Sequence, residues 1–182
     1  MDKLWAPWRI NYIKKAPKQK QCIFCLAKKI TSRAKIKQKD KKNLVLFRGK
    51  HCFAMLNLFP YNNGHILISP YRHLSNIAAL TDAEILDLFK TISLMTRVLD
   101  KIIKPQAYNI GLNAGKTAGA GIPGHIHLHI VPRWQADTNF ITVISNTRVI
   151  SQSLEELHKL ISRELSILLG KANGNYGIAS QQ

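Results

Sequence analysis

The chain has 182 residues, 46% of them apolar, and sets 27 basic against 10 acidic side chains for a formal net charge of +17. That length and composition suit one folded domain with a real core and exclude a disordered chain. No apolar run approaches the roughly 20 residues of a membrane-spanning helix, and the net charge favours anionic partners: nucleotides, nucleic acid or an acidic membrane surface.

In chain order, residues 1–21 hold two tryptophans, two prolines and Tyr12, and read as an arm packed on the domain. The opening Met1-Asp2-Lys3-Leu4-Trp5 lacks the layout of a secretion signal. Cys22-Ile23-Phe24-Cys25 follows; with three cysteines in all, a metal knuckle in a reducing, cytoplasmic compartment is expected rather than a disulfide framework. Lys28 to Lys42 is strongly basic, opposed by Asp40 alone, and has no aromatic side chain on which bases could stack. With only Ile30, Ala34 and Ile36 as apolar anchors, the run reads as a mobile, solvated basic loop near the rim of a ligand pocket, where it would steer anions.

Leu44–Phe47, Cys52–Leu56 and His65–Ser69 read as three strands, the last ended by Pro70. Thr81-Asp82-Ala83-Glu84 is a capping-box signature, and Ile85, Leu88, Phe89, Ile92, Met95 and Leu99 recur at helical spacing, which predicts a helix to about Ile103, before Pro105. Tyr108–Asn113 and Ile126–Val131 read as two more strands. Ser153 caps a final amphipathic helix through Leu157, Leu160, Ile161, Leu165 and Leu168, with a frayed tail from Gly170. Three strands, a helix, two strands and a helix predict an α+β fold: an antiparallel meander of about five strands with helices on one side. The expected organisation is a single domain, with an arm, knuckle and basic loop over 1–42, a catalytic core over 43–141, and a helix and tail over 142–182.

The chemistry concentrates in His125-Ile126-His127-Leu128-His129. Alternate strand residues share a face, so the three imidazoles line one surface while Ile126, Leu128 and Ile130 face apolar packing. A neutral imidazole is a good nucleophile toward phosphorus near pH 7, and a second one alongside can fix its tautomer. A strand-borne metal site is the competing reading. The preceding loop, Gly115 to Gly121, allows close backbone approach and can form an anion-binding nest at Gly119-Ala120-Gly121.

The segment Asn113 to Trp134 resembles the signature of the histidine-triad (HIT) superfamily, and Asn57 with Asn63 to His73 resembles its other segment. Leu4 to Arg9, the Cys-x-x-Cys knuckle and Trp134 to Phe140 are similar to a bacterial subgroup that includes diadenosine tetraphosphate phosphorylases and lies near the fragile-histidine-triad branch. The resemblance spans roughly residues 4–141. It implies a HIT-like sheet and a nucleotidyl hydrolase or transferase acting at the α-phosphorus of dinucleoside polyphosphates. On that resemblance His127 is the nucleophile and forms a nucleotidyl-histidine intermediate. His129 contacts ligand and handles charge on the phosphate, and His65 supports the triad unless it is a satisfied structural histidine. Asn57 holds the ribose; Asn113, Ala120 and Gly121 hold the phosphates; Trp134 joins the nucleotide-binding set. The acceptor, water or inorganic phosphate, is left open.

Two cysteines do not close a tetrahedral metal site. Related galactose-1-phosphate uridylyltransferases pair such a knuckle with two distant histidines, which implies a structural zinc on Cys22, Cys25, His73 and His125 and no organic cofactor. His51 and His158 are expected at the surface. A homodimer is implied by relatives that join sheets edge to edge or pack their long helices. Two other functions stay open: hydrolysis of adenylated amines, and a nucleic-acid-binding module that processes adenylated ends and grips through the basic run.

Overall fold

The computed structural model describes residues 22–28, 33–135, 137, 150 and 152–171. The expected N-terminal arm, residues 29–32 of the basic run, most of the segment after Trp134 and the tail beyond Lys171 lie outside the described residues.

Five antiparallel-paired strands form one sheet: β1 (Val45–Arg48), β2 (Cys52–Leu56), β3 (Ile66–Pro70), β4 (Ala107–Leu112) and β5 (Leu128–Arg133), in the order β1-β2-β3-β5-β4. The order departs from a simple meander. Helix α3 (Asp82–Ile102) carries the chain from β3 past one strand position, so β4 runs parallel to β3, as a helical crossover permits. β5 fills the gap, pairing antiparallel with both: Ile66 opposes Ile130 on one side and Ile110 opposes it on the other.

Strand alternation sorts the core. Cys52, Ala54 and Leu56 of β2, Ile66 and Ile68 of β3, and Leu128 and Ile130 of β5 meet Leu88, Met95 and Leu99 of α3 and Leu157, Ile161 and Leu165 of the C-terminal helix α4 (Leu154–Lys171). Each of these buried Leu, Ile and Met side chains contributes about 1.5–3 kcal/mol through the area it removes from water. Phe53, Met55 and Leu67 face the other way, against Phe24 and Ala27 of the short helix α1 (Ile23–Lys28). The two long helices thus share one face of the sheet, and the cysteine segment covers part of the opposite one.

The helix ends follow their capping residues. Thr81 Oγ1 accepts the Glu84 N–H at 3.3 Å while a Glu84 carboxylate oxygen accepts the Thr81 N–H at 2.9 Å, and α3 ends at Ile102 with Ile103 as its C-cap. At the start of α4, Ser153 Oγ accepts the Glu156 N–H at 3.1 Å. No described helix is long and apolar enough to cross a membrane.

Two expectations need correction. Residues 33–42 of the basic run form not a loop but helix α2 (Arg33–Lys42), which packs on β1 rather than bordering the histidine strand. Its Arg, Ala, Lys and Gln are straight-chain or small helix formers that lose little side-chain freedom. Asp40 anchors it through paired bonds of 2.6 and 3.0 Å to Arg48 of β1, whose guanidinium also donates to the Ala27 carbonyl at 2.7 Å. His158, expected at the surface, is buried, because its Nε2–H donates to the Val45 carbonyl at 2.9 Å and ties α4 to β1.

Candidate active site and metal centre

β5 and the extended residues before it deliver the three histidines of the triad to the face opposite the long helices. His125 and His127 are buried and His129 is half-buried, while Leu128 and Ile130 point into the helix-side core. Ser69 Oγ donates to the Ile126 carbonyl at 3.0 Å and the Ile126 N–H donates to the Leu74 carbonyl at 2.7 Å, which holds this stretch against β3 and its exit.

Each ring's tautomer follows from its partners. His127 Nδ1 lies 2.8 Å from the His125 carbonyl oxygen, which can only accept, so the proton is on Nδ1 and Nε2 carries the lone pair. Burial, partly against the Phe24 ring at 4.9 Å, pushes the His127 pKa below its ordinary value, although the backbone bond opposes the shift. Near pH 7 this imidazole is neutral and nucleophilic at Nε2.

His65 lies just ahead of β3. Its Nδ1 receives the Tyr61 backbone N–H at 3.0 Å and the Asn57 side-chain amide at 3.2 Å, so its proton is on Nε2 and is donated to His129 Nδ1 at 2.9 Å. His129 therefore carries its own proton on Nε2. Burial, reinforced by the neighbouring His129 and His127, drives the His65 pKa down to about 3, which keeps the relay neutral. Tyr61 stacks on His129 with centroids 5.8 Å apart and planes 11° off parallel. The rings of His127 and His129 are 5.0 Å apart, which sets a lone pair beside an N–H donor on one surface.

Other expected residues are placed as follows. Asn57 is adjacent: its Oδ1 accepts the Phe59 N–H at 3.0 Å while its amide holds His65. Asn113 is half-buried just past β4. Gly115 and Gly119 adopt left-handed backbone angles of φ 86° and 90°, which an L side chain would strain. They let the loop fold back so that the Ala120 N–H donates to the Gly115 carbonyl at 3.2 Å. That bond uses the Ala120 amide inside the loop rather than toward a ligand, and Gly121 beside it is exposed. Trp134 is not brought to the cluster of its own chain. It follows β5, five residues and about 17 Å of strand beyond His129, with its indole N–H on the Lys104 carbonyl at 3.2 Å.

Cys22, Cys25, His73 and His125 converge, with their donor atoms all within 4.8 Å of one another. His125 Nε2–H donates to the Pro70 carbonyl at 3.0 Å, which aims the Nδ1 lone pair at Cys22 Sγ, 3.3 Å away, and Cys25 Sγ, 3.8 Å away. His73 Nδ1 lies 3.2 Å from Cys25 Sγ. Tetrahedral zinc with bonds of about 2.0–2.3 Å separates its donors by about 3.5 Å, so this donor set fits the ion, and the Pro70 carbonyl is the kind of outer partner that orients a ligating imidazole.

Two residues of the site went unread in the sequence. Phe24 sits between the cysteines as one more core-type side chain, yet it packs on both His125 and His127. Tyr61 is a loop aromatic whose backbone and ring both serve the histidines. Its position four residues before His65 was the available signal.

A family model described as the HIT domain matches residues 38–136. The chain is 38% identical over 166 residues to the AP-4-A phosphorylase of Mycobacterium tuberculosis, covering 90% of this chain and 84% of that protein. It is 39% identical over 93 residues to the asymmetrical bis(5'-nucleosyl)-tetraphosphatase of Schizosaccharomyces pombe, covering 51% of this chain and 50% of the other. Among solved structures, a hypothetical histidine triad nucleotide-binding protein from Sulfolobus tokodaii shares the fold, with a TM-score of 0.62 and 24% identity over 85% of this chain and 98% of that one.

Proposed function

The chain belongs to the HIT domain family, and on that premise we propose that it cleaves dinucleoside polyphosphates such as diadenosine tetraphosphate at an α-phosphorus through a nucleotidyl-His127 intermediate. The observation that carries this reading is the His127 tautomer, with Nδ1–H committed to the His125 carbonyl at 2.8 Å and the Nε2 lone pair beside His129. Nε2 attacks the α-phosphorus, the N–P bond forms, and the bridging P–O bond breaks with its electron pair leaving on the departing nucleoside polyphosphate. His129, which holds its proton on Nε2, donates a hydrogen bond to phosphate oxygen as charge develops there. His65 keeps that proton in place by donating to His129 Nδ1. An acceptor then attacks phosphorus from the side opposite His127, and the N–P bond breaks to restore the free imidazole. The name of the Mycobacterium tuberculosis relative supports inorganic phosphate as the acceptor.

Cys22, Cys25, His73 and His125 would hold one zinc ion, whose chemistry is structural cross-linking. These side chains fasten α1 and the segment after β3 to the residue two before the nucleophile. Thiols available for such a role accord with a reducing cytoplasm. The chain would also pair with a second copy. β4 is an edge strand, Ile110 on it is 46% exposed, and α3 turns Leu86 and Phe89 to solvent.

Product analysis tests the reaction. Diadenosine tetraphosphate should give ATP and ADP with inorganic phosphate present, or ATP and AMP with water as the acceptor. Two ADP per substrate, or no turnover with either acceptor, would defeat the reading.

A further inference from the structure

Helix α2 is poorly placed to serve the histidine cluster. β2 and β3 separate β1 from β5, about 14 Å at ordinary strand spacing. α4, which together with α2 flanks β1, packs on the sheet face opposite the triad. The concentrated basic charge therefore calls for an account of its own.

Between α2, β1 and α4 lie two adjoining hollows of about 360 and 490 Å³, both lined by Lys41 and His158. Lys42 borders the first, and Lys159 and Ser162 border the second. Nearby acids leave the groove positive. Asp40 is committed to Arg48, and the single carboxylate of Glu155 is shared by Lys41 at 3.4 Å and Lys159 at 3.8 Å. Those two lysines remain 58% and 66% exposed. The groove is held in shape by the bond from His158 to the Val45 carbonyl and by the Asp40–Arg48 pair.

Within α2 six of the ten residues are basic, among them Lys41 and Lys42, which line the groove. A polyanion with repeated phosphates matches cations on both walls of the groove, Lys41 and Lys42 on α2 and Lys159 on α4. The lining has no Phe, Tyr or Trp and its one imidazole, His158, is buried, so recognition would run through phosphates and be indifferent to sequence. A membrane surface fits less well, because a helix lying on lipid needs an apolar face and Arg33–Lys42 has only Ala34 and Ile36 to offer.

We infer that the groove between α2, β1 and α4, with Lys41, Lys42 and Lys159 on its walls, docks the phosphate backbone of nucleic acid at a site separate from the nucleotide pocket. The test uses the full chain, a fluorescent 30-nucleotide RNA and a duplex of the same length, read by anisotropy from about 50 to 300 mM salt with AMP in excess. The logarithm of affinity should fall linearly with the logarithm of salt. Lys41→Gln, Lys42→Gln and Lys159→Gln together should weaken binding at least tenfold at 100 mM salt and flatten the slope by about two to three, at 0.7–0.9 per phosphate contact. The same three positions changed to Arg should bind as the parent does, and cleavage of diadenosine tetraphosphate should be unaltered in both triples. Loss of oligonucleotide on adding AMP, equal affinity in the Gln triple, or lysine-dependent binding to phosphatidylserine vesicles without binding to either oligonucleotide would each overturn the inference.

Discussion

Phe24 lies with its ring 4.9 Å from that of His127 and 5.2 Å from that of His125, fully buried between Cys22 and Cys25. One side chain thus touches both the proposed nucleophile and a member of the metal-donor set. It covers that side of His127 and so contributes to the burial that lowers the ring's pKa. Phe24→Ala should lower turnover tenfold or more through misplacement of the nucleophile and leave the affinity for AMP within a few-fold of the parent. The cavity itself should cost about 3–5 kcal/mol of stability. Phe24→Leu should recover most of the turnover. A variant that loses AMP affinity while keeping turnover would assign Phe24 to ligand binding instead.

The buried His65 makes stability depend on pH with a definite sign. Its folded-state pKa of about 3 lies below the ordinary 6.5, so between those values the unfolded chain binds a proton that the native fold does not. The stability it confers is fully present above about pH 6.5 and is lost as pH falls toward 3, at up to about 1.4 kcal/mol per pH unit. Glu84, held down to about 2 chiefly by Arg72, acts lower: its contribution is present above about 4.5 and lost as pH falls toward 2. Urea unfolding at fixed pH steps should show the upper limb flatten in His65→Gln. An unchanged limb in that variant would place the dependence on another group.

Much of this was legible before the fold was known, and the remainder was hidden for identifiable reasons. Thr81 with Glu84 announced the start of α3, because a capping box is a local pattern with one geometric outcome. The alternation at His125, His127 and His129 announced a shared face for the same reason. The convergence of Cys22, Cys25, His73 and His125 came through family resemblance rather than through spacing. What was missed is tertiary. α2 has helix-forming residues, but its charge reads as a solvated loop until Arg48 is found opposite Asp40. The place of β5 between β3 and β4 follows from how α3 crosses the sheet, which no local pattern records. His158 reads as a surface residue because its partner, the Val45 carbonyl, is 113 positions away.

The metal-donor set predicts a measurable dependence. Purified chain should retain one zinc ion after dialysis, and Cys25→Ser should lower both zinc content and melting temperature. A zinc finger's fold rests on its metal; α1 buries only Phe24 and Ala27, so its attachment should depend on metal in the same way. Chelation should also expose Phe24, raising susceptibility to proteolysis around residues 22–28 before global unfolding. A dialysed wild type free of zinc and equally stable would remove the metal from the account.

Gly64 offers a prediction that separates two kinds of strain. Its φ is +78°, a left-handed conformation that costs an L residue roughly 1–2 kcal/mol. A Cβ built there would also stand 2.6 Å from Ile103 Cδ1 and 3.1 Å from Pro132 Cγ, closer than carbon atoms approach without something moving. Gly64→Ala therefore carries a backbone penalty and a packing penalty together. At about 2–4 °C per kcal/mol for a chain of this size, the melting temperature should fall by about 5–10 °C. Gly64 also precedes His65, whose backbone N–H donates to the Asn62 carbonyl at 3.2 Å, so a backbone shift at position 64 tilts the ring that orients His129. Turnover should drop along with stability. Ile103→Val removes the nearer atom, Cδ1, and the double variant should regain the part of the packing loss due to Ile103 while the backbone share and the Pro132 contact persist, a coupling that a double-mutant cycle reads directly. Additive effects of the two substitutions would mean that Ile103 does not crowd position 64 and that the glycine conformation and the Pro132 contact carry the effect.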